Sequence, residues 1–275
     1  MCRQKSVKRL IVNADDFGLD SAVNSGIIQA YEFGIVRSAS LMSCGAAFDE
    51  AAQWARKNKE HSGLGVGVHL SLTEGAPVAA KNKIAFLLSE DRSCFLERNK
   101  FLLKFFSGKI DLGQVYLEFE SQISKFLKAG LTPTHLDGHE HVHMLPCILS
   151  VVLKLAAKFK IPSIRLPKEP WLTKYPQTCK YWMISRLADF NWFFKVRKHP
   201  IKFPNHCYGL TQSCCLSQAS LVQVLKIIPV GVNELICHPG VGKQNKETEL
   251  NALKSPEIRK LINDLDIQLI RYDQI

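Results

Sequence analysis

The sequence predicts an α/β fold: one (β/α) barrel-like domain over residues 1–275, with an aromatic, basic insert at about 168–205. Three observations predict it. Short apolar strand-like stretches alternate with helix-like patterns along the whole chain, as in a mostly parallel sheet. Polar residues gather at the C-terminal ends of those strands: Asp15 and Asp16, His69, Asp137 and His139, and His238. In parallel α/β folds the loops leaving that edge converge on one site. Finally, the chain has 275 residues, 46% hydrophobic and 22% charged, with no repeat, low-complexity tract or interdomain linker, which suits a single large core.

In order, "RLIVNADDFG" reads as a strand running into polar residues. "DSAVNSGIIQAYEFG" reads as a helix capped by Asp20 or Ser21 and stopped at Gly34. "IVRSASLMSCG" is the next strand and "FDEAAQWARKN" the next helix. "LGVGVHLSLTEG" alternates over Leu64, Val66, Val68, Leu70 and Leu72, which turns His69 to the other face. Residues 78–110 read as an irregular excursion. A helix follows with Leu112, Val115, Phe119, Ile123, Phe126 and Leu127 on one face, closed by Gly130. Then come "PTHLDGH", a helix across 146–159, the short strand "SIRLP", a helix from Ser217 to about Ile228, the strand "NELICHPG", a helix start at Ser255-Pro256 and a last strand "IQLIRY".

Charge is unevenly placed. Residues 151–202 hold twelve Lys/Arg against two Asp/Glu, so they carry +10 of the formal +11. The nine cysteines show no CxxC spacing and read as free thiols of a reducing compartment. The N-terminal apolar run "LIV" is too short for a secretory signal, and no stretch approaches the ~20 apolar residues of a membrane span. The expected location is cytoplasmic.

"THLDGHEHVHMLP" places four histidines within Thr134–Pro146, a cluster that neither an apolar core nor an ordinary loop requires. Asp16, His69 and His139, one carboxylate and two imidazoles from separate strands, form a set that can hold a divalent metal with coordination positions left open. A metal there would polarise a carbonyl and acidify a water, the two tasks of amide or ester hydrolysis. Asp15 could take the water's proton, provided the backbone turns within "DDFG", since adjacent strand residues face opposite ways. His238 could protonate a leaving amine. Arg165 would pair with a carboxylate or touch substrate, and His141 and His143 would support the ligands or face substrate. Each feature also has a plain structural reading, an Asp-Asp turn or a helix cap among them; their agreement on one sheet edge favours a site.

In this order, "LIVNADDFG", "GVGVHLSLTEGAPV", "THLDGHEHVHMLP" and "ELICHPG" resemble the YdjC-like carbohydrate deacetylases, from about residue 8 to the C-terminus. The resemblance implies a barrel related to polysaccharide deacetylases and metal-dependent removal of an N-acetyl group from an amino sugar. It implies Asp16, His69 and His139 as metal ligands, Asp15 as base and His238 as acid, with Mg2+ as the ion. Ligand softness instead suits Zn2+. "IRLPKEP", "YGLTQS" and "ELNALKSPEIRKLI" are similar to the hopanoid-biosynthesis-associated branch, which implies a glycosylated membrane lipid as substrate rather than a soluble chitooligosaccharide.

The aromatics and cations interleaved in "YWMISRLADFNWFFKVRKHPIKF" fit either an interfacial segment, residues 181–203 resting on an anionic leaflet, or a buried helix with a solvated basic rim. "FLERNKFLLKFF" is a second, weaker candidate of the same kind. A nucleic-acid-binding protein would use the same basic stretch but leave the Asp/His cluster without purpose, so no nucleic-acid partner is expected. A phosphoester hydrolase has no Gly-rich phosphate loop to support it. A catalytically silent sugar binder conflicts with the intact motif residues. Oligomeric state has no signal in the sequence.

Overall fold

The computed structural model describes residues 7–58, 63–170, 179–211 and 215–275. Residues 171–178 of the basic segment, and Gln212 and Ser213 of "YGLTQS", lie outside them, as do the side chains of Trp182, Met183 and Phe193.

The chain forms an α/β domain around a curled, wholly parallel sheet. Strand β1 (Lys8–Phe17) leads to α1 (Ser21–Glu32), β2 (Ser38–Leu41), α2 (Phe48–Lys57) and β3 (Gly65–Leu70). Helices α3 (Arg98–Phe106) and α4 (Leu112–Lys128) precede β4 (Leu136–Gly138), α5 (Pro146–Phe159) and α6 (Cys179–Phe194). The chain ends through β5 (His206–Tyr208), α7 (Gln218–Ile227), β6 (Gly231–Cys237), α8 (Gln244–Lys254), α9 (Pro256–Asp264) and β7 (Ile267–Leu269). Strand order is β4-β3-β2-β1-β6-β5, with β7 beside the start of β1. The extended segment 162–168 links the two edges: Arg165 N–H donates to Leu136 O on β4, and Cys207 N–H of β5 donates to Lys168 O, both at 2.9 Å. The sheet is therefore a half-barrel whose open side is spanned by this segment.

Alternation along the strands sorts the side chains. Leu10, Val12 and Ala14 of β1, with Val66, Val68 and Leu70 of β3, join the large apolar core beneath the helices. Ile11 turns to the concave side, where it packs with Val232, Ile270 and Tyr272. Beyond that apolar plug the concave side is polar: Asn13, Asp15, Ser40, His69 and Glu234 are all buried there. His69 sits opposite its valine and leucine neighbours, as the alternation of its strand predicts.

Two helices depart from the expected pattern. Residues 98–106, expected to be irregular, form α3; only Phe101 is fully buried, while Leu103 and Phe106 are 73% and 71% exposed. Apolar residues all round a helix leave no periodic stripe to read. Helix α8 is too polar for its short Leu250–Leu253 contact to stand out, yet it carries two groups of the candidate site described below. Helix α6 presents one buried face, with Ser185, Ala188 and Asn191 docked and Asn191 Nδ2 donating to Met144 O at 2.6 Å. Its other face exposes Phe190, Trp192 and Phe194. Of the described residues, no helix is long and apolar enough to cross a membrane.

Glu169, from "IRLPKEP", ties this region together. Its buried carboxylate accepts N–H groups of Gly209 and Thr211 (3.1 and 3.0 Å), joining the two stretches that the sequence singled out separately. Burial pushes its carboxyl up to about 7 despite those donors. A carboxyl raised in the folded state binds a proton more tightly there than in the unfolded chain, so its contribution is full below about pH 4.3 and is lost as pH rises to 7. The denaturant midpoint of the wild-type chain is accordingly expected to fall relative to Glu169→Gln between pH 5 and 8. A pH-independent difference between the two would show that Glu169 ionises normally.

Candidate metal centre and active site

The site sits at the C-terminal edge of the half-barrel, and β1 builds half of it through a bulge. Ala14 pairs with Ala39 and Phe17 with Leu41, so β1 spends one residue more than β2 over the same interval. Asp16 takes up the excess in the left-handed region at φ 69°, a conformation Asp tolerates better than most residues. Without this bulge, Asp15 and Asp16 would face opposite sides of the sheet; with it, both carboxylates reach the same edge. The sequence requirement for a turn in "DDFG" is met at Asp16 itself, ahead of the glycine.

Asp16 Oδ1 lies 3.0 Å from His139 Nδ1 and 3.4 Å from His69 Nε2. Ligand atoms of Asp16, His69 and His139 all fall within 4.8 Å of one another. His69 offers Nε2 because its Nδ1 is held by Asp137 Oδ1 at 2.9 Å, the carboxylate–histidine pairing that fixes a metal-binding imidazole. Burial alone would raise the Asp16 carboxyl, but its hydrogen bonds to His139 and His69 and the charges of His139 and His238 outweigh it and hold it well below its ordinary value. Burial likewise disfavours charge on His69, yet Asp137 and Asp16 lift its imidazolium to about 10. The pocket favours positive charge, and its donor set of one carboxylate and two imidazoles fits a divalent ion. A second grouping, Asp15, His69 and Asp137, shares His69 but has its carboxylates engaged by an arginine.

That arginine is Arg165. Fully buried, it grips Asp15 with both terminal nitrogens (2.5 and 2.7 Å), meets Asp137 at 2.8 Å and Glu234 at 2.8 Å. Of the two roles open to it in the sequence, carboxylate pairing is the one seen. Burial works against its charge, but the three carboxylates raise it well above its already high ordinary value.

The remaining histidines spread outward from this centre. His135 is sealed below it, stacked on Tyr272 at 3.8 Å, where burial holds it down at about 4. Gly67 leaves it room: a Cβ there would come within 2.4 Å of the His135 ring. His143 is also fully buried and meets Arg165 O through Nε2, so it supports the turn from beneath. His141 stays partly exposed beside the site; burial, then Arg165 and His143, push its imidazole well below the ordinary value. Glu140 and His141 follow His139 with φ of 50° and 60°. Consecutive left-handed non-glycine residues store strain, and strain of this kind concentrates at functional sites.

His238 follows β6, close enough for its charge to lower the Asp16 carboxyl. The turn after it packs on α1, where a Cβ on Gly26 would meet Gly240 Cα at 2.4 Å. The buried Glu249 of α8 accepts the His238 backbone N–H at 2.6 Å, and Lys246 of the same helix places Nζ 3.9 Å from Asp16 Oδ2. Sequence reasoning placed Asp137 at this sheet edge without assigning it the hold on His69, and missed Glu249 and Lys246. Asp137 stood in the open within "HLDGH", whereas the two α8 residues had no local signal.

The chain is similar over nearly its whole length to known proteins. A protein of Geobacillus stearothermophilus called a carbohydrate deacetylase is 41% identical, covering 95% of this chain and 96% of its own. A carbohydrate deacetylase of Brevibacillus brevis is 32% identical over 97% of this chain and 99% of its own. The solved structure of a suggested cellobiose-phosphate cleavage protein from Enterococcus faecalis V583 superposes with a TM-score of 0.75 at 27% identity, with 98% of each chain covered. The profile of the YdjC-like protein family matches residues 9–264, and with these relatives it places the chain in the YdjC-like family.

Proposed function

We propose that the chain is a metal-dependent carbohydrate deacetylase, hydrolysing the N-acetyl group of an acetylated amino sugar. The observation that carries this reading is the convergence of Asp16, His69 and His139 on one point at the sheet edge. The names of its relatives support the reaction class. Asp16, His69 and His139 would hold the ion, which when bound would polarise the acetamide carbonyl and acidify a water.

The chain's own groups supply the rest. Asp15 is oriented by Arg165 and by Asn13 Nδ2 at 2.8 Å, and takes the proton from the attacking water. His238, held through its backbone by Glu249, gives a proton to the departing amine. His139, with its side chain about one fifth exposed, and the partly exposed His141 face the entering sugar.

For the sugar's carrier, a lipid-linked substrate such as a glycosylated hopanoid is the reading we favour over a soluble chitooligosaccharide. The exposed aromatics of α6, set among the cations of 181–203, support peripheral contact with an anionic leaflet. The test is acetate release from an N-acetylglucosaminyl lipid in vesicles and from soluble chitobiose, by the metal-loaded chain and by His139→Ala. Release by the wild type and a drop of at least about 100-fold in the variant are expected, since even a residue behind a ligand costs ~10–100-fold. Equal rates from both proteins would remove His139 from the mechanism.

A further inference from the structure

The site chemistry leaves α3 and α6 unused, yet they flank the turn that carries His139. Between them runs a groove of about 650 Å3. Val142 and Met144 belong to the turn; Leu102 and Phe106 line the α3 side, Ile184 and Leu187 the α6 side. Glu140 and His141, immediately after the proposed ligand His139, also line it, so the groove begins where the site ends. Charge is confined to paired groups: Arg98 with Glu140 at 3.1 Å and Arg186 with Asp189 at 2.9 Å. Leu187, Phe190 and Phe194 fall at i, i+3 and i+7, so the apolar wall continues along α6 past the groove. Phe190 and Phe194 are each 49% exposed and pack on one another at 4.6 Å.

These walls are chemically selective. Asn99 and His141 are the uncharged polar groups of the lining. The rest of the wall between α3 and α6 is apolar and offers no hydrogen bonds, so a second sugar ring laid along it would leave most of its hydroxyls desolvated and unpaired, at a cost of roughly 1–3 kcal/mol each. A hydrocarbon loses nothing and gains by leaving water. We infer that the groove between α3 and α6 is the subsite for an apolar aglycone, with the acetylated sugar over Asp16, His69 and His139 and its attached hydrocarbon lying between Leu102 of α3 and Ile184 and Leu187 of α6, above the buried Val142 and Met144. This inference rests on the deacetylase reading and adds to it the place on the chain where the carrier of the sugar would bind.

The test compares methyl and octyl glycosides of N-acetylglucosamine, the octyl form below its micelle concentration, with the metal-loaded wild type, Leu187→Gln and Leu102→Gln. Each buried methylene contributes roughly fourfold in binding, so burying three of the seven extra carbons gives a kcat/KM ratio of roughly 60 for octyl over methyl. That ratio is expected to fall towards one in both variants, with thermal unfolding of each checked against the wild type. Calorimetric binding of the octyl glycoside to the same three proteins gives a second readout independent of turnover. Acetate release at equal kcat/KM from both glycosides by the wild type would overturn the groove while the deacetylase stands. No release from either glycoside would count against the deacetylase reading; the groove would then be supported by octyl binding that weakens in both variants, and overturned by binding that does not.

Discussion

The Asp16→Asn chain is expected to bind a divalent ion at least about 100-fold more weakly than the wild type, and to lose acetate release in proportion. Asparagine keeps the shape and tolerates the left-handed backbone that Asp16 adopts, so the bulge and the strand register should survive. What disappears is the carboxylate on which His69 and His139 converge. Losing a ligand should exceed the ~10–100-fold typical of losing a group behind one. Isothermal titration with a divalent ion, alongside circular dichroism to confirm the fold, measures the effect. Unchanged affinity in a folded variant would mean that the ion, if any, sits elsewhere.

Arg165→Met is expected to give the largest loss of stability of any single change considered for this chain. The guanidinium is the cation shared by Asp15, Asp137 and Glu234, all buried. Methionine fills similar space, so the effect isolates charge from packing. Removing one partner of a buried ion pair costs roughly 3–5 kcal/mol, because the other charge is left uncompensated. A domain of this size would then unfold roughly 10 °C lower. Arg165→Lys should recover only part of this, since an ammonium cannot grip Asp15 with two parallel donors. A melting temperature within about 2 °C of the wild type in Arg165→Met would show that the carboxylates take up protons and need no counter-charge.

How far the sequence reveals this arrangement depends on the range of each interaction. Short-range pattern was enough for β3, where the alternation of Val66, Val68 and Leu70 turned His69 to the concave side. On α4 it placed Val115, Phe119, Ile123 and Phe126, all buried, but Leu112 and Leu127, expected on the same face, are 37% and 36% exposed; of the two caps offered for α1, Asp20 is the one used. The grouping of Asp16, His69 and His139 was legible because parallel topology sends all strand ends to one edge.

The supports of that group were not legible. Arg165 reaches Asp15 across 150 positions, and nothing in "SIRLP" states which carboxylate it will meet. Glu169 meets Gly209 and Thr211 only because segment 162–168 spans the open side of the sheet. Helix α8 brings Lys246 and Glu249 to the site through tertiary packing that its polar sequence does not announce. The turn at Asp16 was required by chemistry but could not be assigned to a residue before the register of β1 against β2 was known.

The account's central claim is that Asp16, His69 and His139 hold one divalent ion on which amide hydrolysis depends. The most direct measurement is acetate release from an N-acetylglucosaminyl substrate by chelator-stripped protein, titrated separately with Zn2+ and with Mg2+, with bound ion counted in the same samples. The account predicts negligible release without metal, and activity that rises with occupancy and saturates at one ion per chain. Two imidazoles favour saturation by Zn2+ at the lower concentration, whereas the family resemblance implies Mg2+, so the titrations also separate those readings. Full acetate release by the stripped chain, or activity that does not follow occupancy, would contradict the claim.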